Sequence, residues 1–98
     1  MVTFCEQENE IICTFSGHLN TLAVMEDVRG VEEKIGQAQD RAVAFDLGGV
    51  TFIASSFLRL CVRTAKAVGA ARFALRNVPP EMKKVFVISG LDKELRIA

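Results

Sequence analysis

Residues 42–47 read AVAFDL, a run whose side chains would be apolar on both faces of an extended chain. A strand of that kind belongs in the middle of a sheet with helices packed on each side. Amphipathic stretches flank it, which narrows the fold to strands alternating with helices around a largely parallel sheet.

The flanking segments fit that frame. VTFCE (2–6) and IICTF (11–15) alternate as strands around a polar QENE turn, and Gly17 is expected to end the second strand. Asn20 or Thr21 can then cap a helix. Val24, Val28, Val31 and Ile35 fall at i, i+4, i+7 and i+11, one stripe of an amphipathic helix over 21–36. Gly30 interrupts it at a cost of about 1 kcal/mol relative to Ala, for no reason visible in the sequence.

Gly48 and Gly49 permit a turn after the central strand, and a second helix fits 56–68 with Gly69 as its stop. RFALRN (72–77) alternates as a strand. Pro79 and Pro80 open a third helix with Met82, Val85, Phe86 and Ser89 on one side, and LRI (95–97) reads as an edge strand. The order is ββαβαβαβ, a single α/β domain over 1–98 with a mixed, mostly parallel sheet and about three helices.

Composition excludes several functions. Twelve basic residues balance twelve acidic ones, so the formal net charge is zero and the basic excess of a nucleic-acid binder is missing. That balance also predicts limited solubility for the isolated domain. No apolar run approaches the ~20 residues needed to cross a bilayer, and MVTFCEQENE does not read as a signal peptide, so membrane insertion is not expected and the expected compartment is the cytoplasm. Cys5, Cys13 and Cys61 lack CxxC spacing and sit among apolar residues, as reduced cysteines do. With one histidine, His18, there is no zinc-spaced cluster, and GG at 48–49 matches no phosphate-binding fingerprint. No base stands near Ser55 or Ser56 in sequence; neither an autonomous enzyme nor a cofactor is expected.

Ser55 and Ser56 stand where a strand hands over to the second helix. One serine there is explained as an N-cap; two are not. A helix N-terminus also receives a phosphate well, and phosphorylation would add nearly two negative charges to a docking surface. In the helix that follows, Leu58, Val62 and Ala65, flanked by Cys61, are expected to face the sheet. Phe57, Leu60, Thr64 and Ala67 are expected to fall outside that stripe, with Arg59, Arg63 and Lys66 in a basic row between. An exposed Phe57 beside three cations would be a partner-binding face, and Phe57→Asp is expected to abolish docking while leaving the fold intact.

DLGGVTFIASSFLRL (46–60) and VGAARFALRNVPPEMKKVFVISGLDKELRI (68–97), with SGHLN (16–20) before them, resemble the STAS domain of bacterial anti-sigma-factor antagonists over nearly the whole chain. The resemblance implies a cytoplasmic switch protein. Unphosphorylated, it would bind an anti-sigma factor that is also a GHKL-type serine kinase. Phosphorylation of the second serine of the motif, by position Ser56, would release it. The implied docking surface is Ser55, Ser56, Phe57, Leu60, Arg59 and Arg63, with His18 and Asn20 nearby. Three positions depart from the family pattern: Ala54 and Asn20 replace aspartates, and Phe57 replaces a glycine. Those departures favour an alternative, a constitutive, unphosphorylated adaptor subunit of a lipid-transport ABC ATPase or a stress-sensing assembly. A homodimer through the second helix, and a ligand or redox sensor using Cys61, are the remaining readings.

Overall fold

The computed structural model describes all of Met1–Ala98. Its elements are β1 (Val2–Glu6), β2 (Glu10–Leu19), α1 (Thr21–Gly36), β3 (Ala42–Ile53), α2 (Ser55–Val68), β4 (Phe73–Arg76), α3 (Pro80–Ile88) and β5 (Arg96–Ile97). This is the expected ββαβαβαβ order. The five strands lie side by side in chain order. β1 pairs antiparallel with β2, and β2, β3, β4 and β5 run parallel.

Because each crossover steps one strand in the same direction and is right-handed, all three helices fall on one face of the sheet. Ile11, Cys13, Phe15, Val43, Phe45, Leu47, Phe73 and Leu75 point to that face, where they share a single core with Val24, Val31, Phe57, Leu60, Cys61, Met82 and Phe86 of the helices. Edge-to-face phenylalanine pairs organise its centre: Phe15 lies 4.9 Å from Phe45 and 5.0 Å from Phe57, and Phe45 lies 4.8 Å from Phe73.

The opposite face carries no helix, so the expectation that AVAFDL is covered by helices on both sides is overturned. Its apolar character there is met differently. Ala44 is buried but stands outside the main core. Arg76 of β4 reaches diagonally over β3 and grips Glu10 of β2 with two hydrogen bonds, 2.6 and 3.2 Å, across Ala44. The guanidinium holds the Glu10 carboxyl below its ordinary range. The alkyl stem of an arginine can shield a small apolar residue while its head group stays hydrated.

Two expected boundaries also shift. β2 does not end at Gly17; it runs to Leu19 through two bulges, with Gly17 in the left-handed region at φ 83°. Gly48 and Gly49 make no turn and remain inside β3. The missing side chain of Gly48 allows a close approach, since a Cβ there would meet Asp46 Oδ1 at 3.3 Å; one on Gly49 would meet Ser16 Cβ at 3.5 Å, an ordinary contact. Gly30 also finds a partner, since Phe4 of β1 rests against it in α1.

Candidate functional site

β2 and β3 end at the same edge of the sheet, with Leu19 beside Ile53 in register. α1 and α2 therefore begin side by side. This brings His18, Asn20, Ser55 and Ser56 to one end of the molecule, the grouping expected from the sequence. His18 is exposed at the end of β2, and its imidazole stacks on the Phe52 ring at 4.3 Å and 13°. Asn20 is the N-cap of α1: its Oδ1 accepts the Ala23 amide at 2.9 Å.

At α2 the capping expectation is corrected. The cap position is Ala54, which has no side-chain acceptor, and both serines lie inside the first turn. Ser55 is exposed. Ser56 is half-buried, and its Oγ is inaccessible to solvent and without a hydrogen-bond partner. An unpaired buried hydroxyl costs about 1–3 kcal/mol.

Phe57 and Leu60 are not on the surface. They are 0 % and 3 % exposed. Phe57 sits on Phe15 and Phe45, the point at which α2 is fastened to β2 and β3. The expected helix orientation is thus rotated. Phe57, Leu60, Cys61, Thr64 and Ala65 face inward, and Leu58 and Val62 lie along the margin. Thr64 resides among apolar groups because its hydroxyl donates to the Leu60 carbonyl at 2.8 Å. A signal for this orientation was present: at about 100° per residue, Arg59, Arg63 and Lys66 gather on one side, and the positions opposite them are Phe57, Cys61, Thr64 and Val68. A charge at Phe57 would strike the core, so Phe57→Asp cannot spare the fold.

What α2 offers outward is a different surface. A shallow groove of about 420 Å³ runs between α2 and the segment after α3, lined by Ser55, Leu58, Arg59, Val62, Arg63, Ser89 and Leu91. Leu58, Val62 and Leu91 form its apolar floor, half-buried. Arg59 is exposed and makes no ion pair, whereas Arg63 meets Glu32 of α1 at 3.0 Å. Of this lining, Ser55, Arg59 and Arg63 were expected on a docking surface, Leu58 and Val62 were expected to face the sheet, and Ser89 and Leu91, distant in the chain, were not expected at all.

The thiols are not poised for chemistry at this surface. Cys13 and Cys61 are buried, and desolvation pushes the Cys13 thiol up to about 12 and that of Cys61 further still, which leaves both protonated and inert at neutral pH. No cluster of three His, Cys, Asp or Glu side chains could hold a metal ion. No helix is long and apolar enough to cross a membrane.

A sequence model of the STAS domain matches residues 3–98. The chain belongs to the STAS domain family. Among solved structures it is similar to an anti-sigma-factor antagonist (STAS) domain protein from Planctomyces limnophilus, at 25 % identity and a TM-score of 0.88, over 98 % of this chain and 87 % of that one. It shares the fold of the anti-sigma factor antagonist SpoIIAA in its unphosphorylated form, at 22 % identity and a TM-score of 0.82, over 100 % of this chain and 88 % of that one. Phosphorylated SpoIIAA from Bacillus aligns at 23 % identity and a TM-score of 0.75, over 100 % of this chain and 91 % of that one. No curated protein sequence matches.

Proposed function

We propose that this STAS domain is a cytoplasmic regulator of the anti-sigma factor antagonist type, working by reversible association with a protein that docks on the first turns of α2. The observation that carries this reading is the groove over Leu58 and Val62, an apolar floor beside an unpaired Arg59 and an exposed Ser55. Such a surface fits a partner side chain beside the cations Arg59 and Arg63. The name of the Planctomyces relative points to an anti-sigma factor as the partner class. A partner that is also a GHKL-type serine kinase would have Ser56 as its target. A phosphate there would lie at the positive end of a 14-residue helix, near Arg59 one turn on, and would place two negative charges beside the docking groove.

A second reading is favoured by the inaccessible Ser56 Oγ, since a kinase would have to open the first turn of α2 to reach it. In that reading the domain is a constitutive adaptor, held on a lipid-transport ATPase or a stress-sensing assembly, and Ser56 is never modified. Capture from the native cell with wild type, Ser56→Asp and Arg59→Glu separates these. The switch reading expects a kinase or anti-sigma factor on wild type and its loss from both variants. The adaptor reading expects the same transporter or assembly subunits on wild type and Ser56→Asp. Undiminished capture by Arg59→Glu together with Leu58→Asp would move the docking site off α2 and overturn both.

A further inference from the structure

A second exposed apolar strip, on α1, is not used by the groove just described. Leu22 and Met25 are each 65 % exposed, far above what a helix in this position needs to leave open. Glu26, Arg29 and Glu33 continue from them at helical spacing, and all five are exposed on one outward stripe. The charges of the two neighbouring helices are segregated. α1 carries four carboxylates (Glu26, Asp27, Glu32, Glu33) against two cations, and α2 carries three cations and no carboxylate. Within one chain this already draws Glu32 of α1 to Arg63 of α2. Both the α1 stripe and the α2 groove point away from the sheet, because the sheet-facing side of each helix is filled by its buried residues.

We infer that the occupant of the groove in the partner-free protein is a second copy of this chain. The two copies meet helix layer to helix layer about a two-fold axis, with α1 of each lying on the α2 groove of the other. Leu22 and Met25 then cover Leu58, Val62 and Leu91, and Glu26 and Glu33 face Arg59 and Arg63. Arg29, the one cation of the stripe, faces Asp92, the residue after Leu91. The two-fold axis makes the surface self-complementary and closed, and each contact occurs twice. A net charge of zero leaves no overall repulsion between copies. Two helical turns per contact fall short of the ~800 Å² per partner typical of stable complexes, so the pairing is weak, concentration-dependent and sensitive to salt. The inference does not rest on the proposed partner; where a partner uses the same groove, pairing hides the docking site and the partner must displace it.

Sedimentation velocity over about two decades of protein concentration, together with circular dichroism as a check on folding, tests this. Wild type is expected to pass from monomer to dimer. Glu26→Arg and Arg59→Glu, both at exposed positions, are each expected to weaken self-association at least ~10-fold, the effect of losing one favourable charge pair and gaining a repulsive one at two equivalent contacts. An equimolar mixture of the two variants is expected to pair again, since one contact then has its original charges and the other has both reversed. A wild type that stays monomeric throughout would overturn the inference. So would a dimer that both reversals leave intact, which would place the contact on the β1 edge or the bare sheet face, or a mixture that fails to pair. Partner capture keeps this result apart from the docking proposal: Glu26→Arg leaves the groove intact and keeps the partner, and Arg59→Glu loses it.

Discussion

The passages from β2 into α1 and from β3 into α2 are neighbours built to the same plan, and they differ at almost every position. The first is capped by Asn20, whose side chain secures the Ala23 amide. The second starts at Ala54, with no side-chain cap, and holds the unpaired Ser56 hydroxyl. At the third helical position α1 has the small Ala23 and α2 has Phe57, which packs onto Phe15 and Phe45. α1 is thus held at its end by a polar cap, and α2 by one large ring driven into the core. The docking surface proposed on α2 rests on the groove beyond this turn, over Leu58 and Val62, and not on the turn's own polar groups.

Four substitutions break or sharpen this contrast. The largest effect is expected from Phe57→Ala, which gives α2 the residue that α1 already has and empties a site that is fully buried. Loss of about 3–5 kcal/mol is expected, read as a lowered midpoint in urea unfolding. A loss under about 1 kcal/mol would mean that Phe57 does not anchor the helix.

Exchanging the caps comes next. Asn20→Ala is expected to cost about 1 kcal/mol and Ala54→Asp to gain about as much, by supplying the missing acceptor at α2. Equal, opposite shifts in thermal midpoint would confirm that the two starts differ by one side-chain hydrogen bond. No gain from Ala54→Asp would show that the first turn of α2 is satisfied by other means. The smallest effect is Gly30→Ala, inside α1. A Cβ there would stand 3.5 Å from the Phe4 ring, an ordinary contact, so a gain of up to about 1 kcal/mol is expected from helix propensity. A loss instead would mean that the ring of Phe4 cannot yield at all.

Most of the fold was legible because hydrophobic spacing reports local structure. Val24, Val28, Val31 and Ile35 placed α1 and its inward stripe within the bounds observed, and Pro80 and Gly69 marked a helix start and a helix end. The site was less legible. α2 has apolar residues around more than half its circumference, so two inward faces were possible, and the choice turned on which one the β2–β3 phenylalanines could receive. The groove depends on Ser89 and Leu91, which no local pattern connects to Leu58.

By itself, then, the sequence determined the order of strands and helices, which follows from side-chain period; the family, and with it the nearness of His18 and Asn20 to the two serines, came from the resemblance of its motifs. Only the tertiary structure decided that Phe57 lies inside, that Ala54 leaves α2 uncapped, and that one face of the sheet carries no helix, with Ala44 there beneath the Arg76–Glu10 pair. Those outcomes depend on which side chains from distant segments compete for the same space, and a single segment carries no record of its competitors.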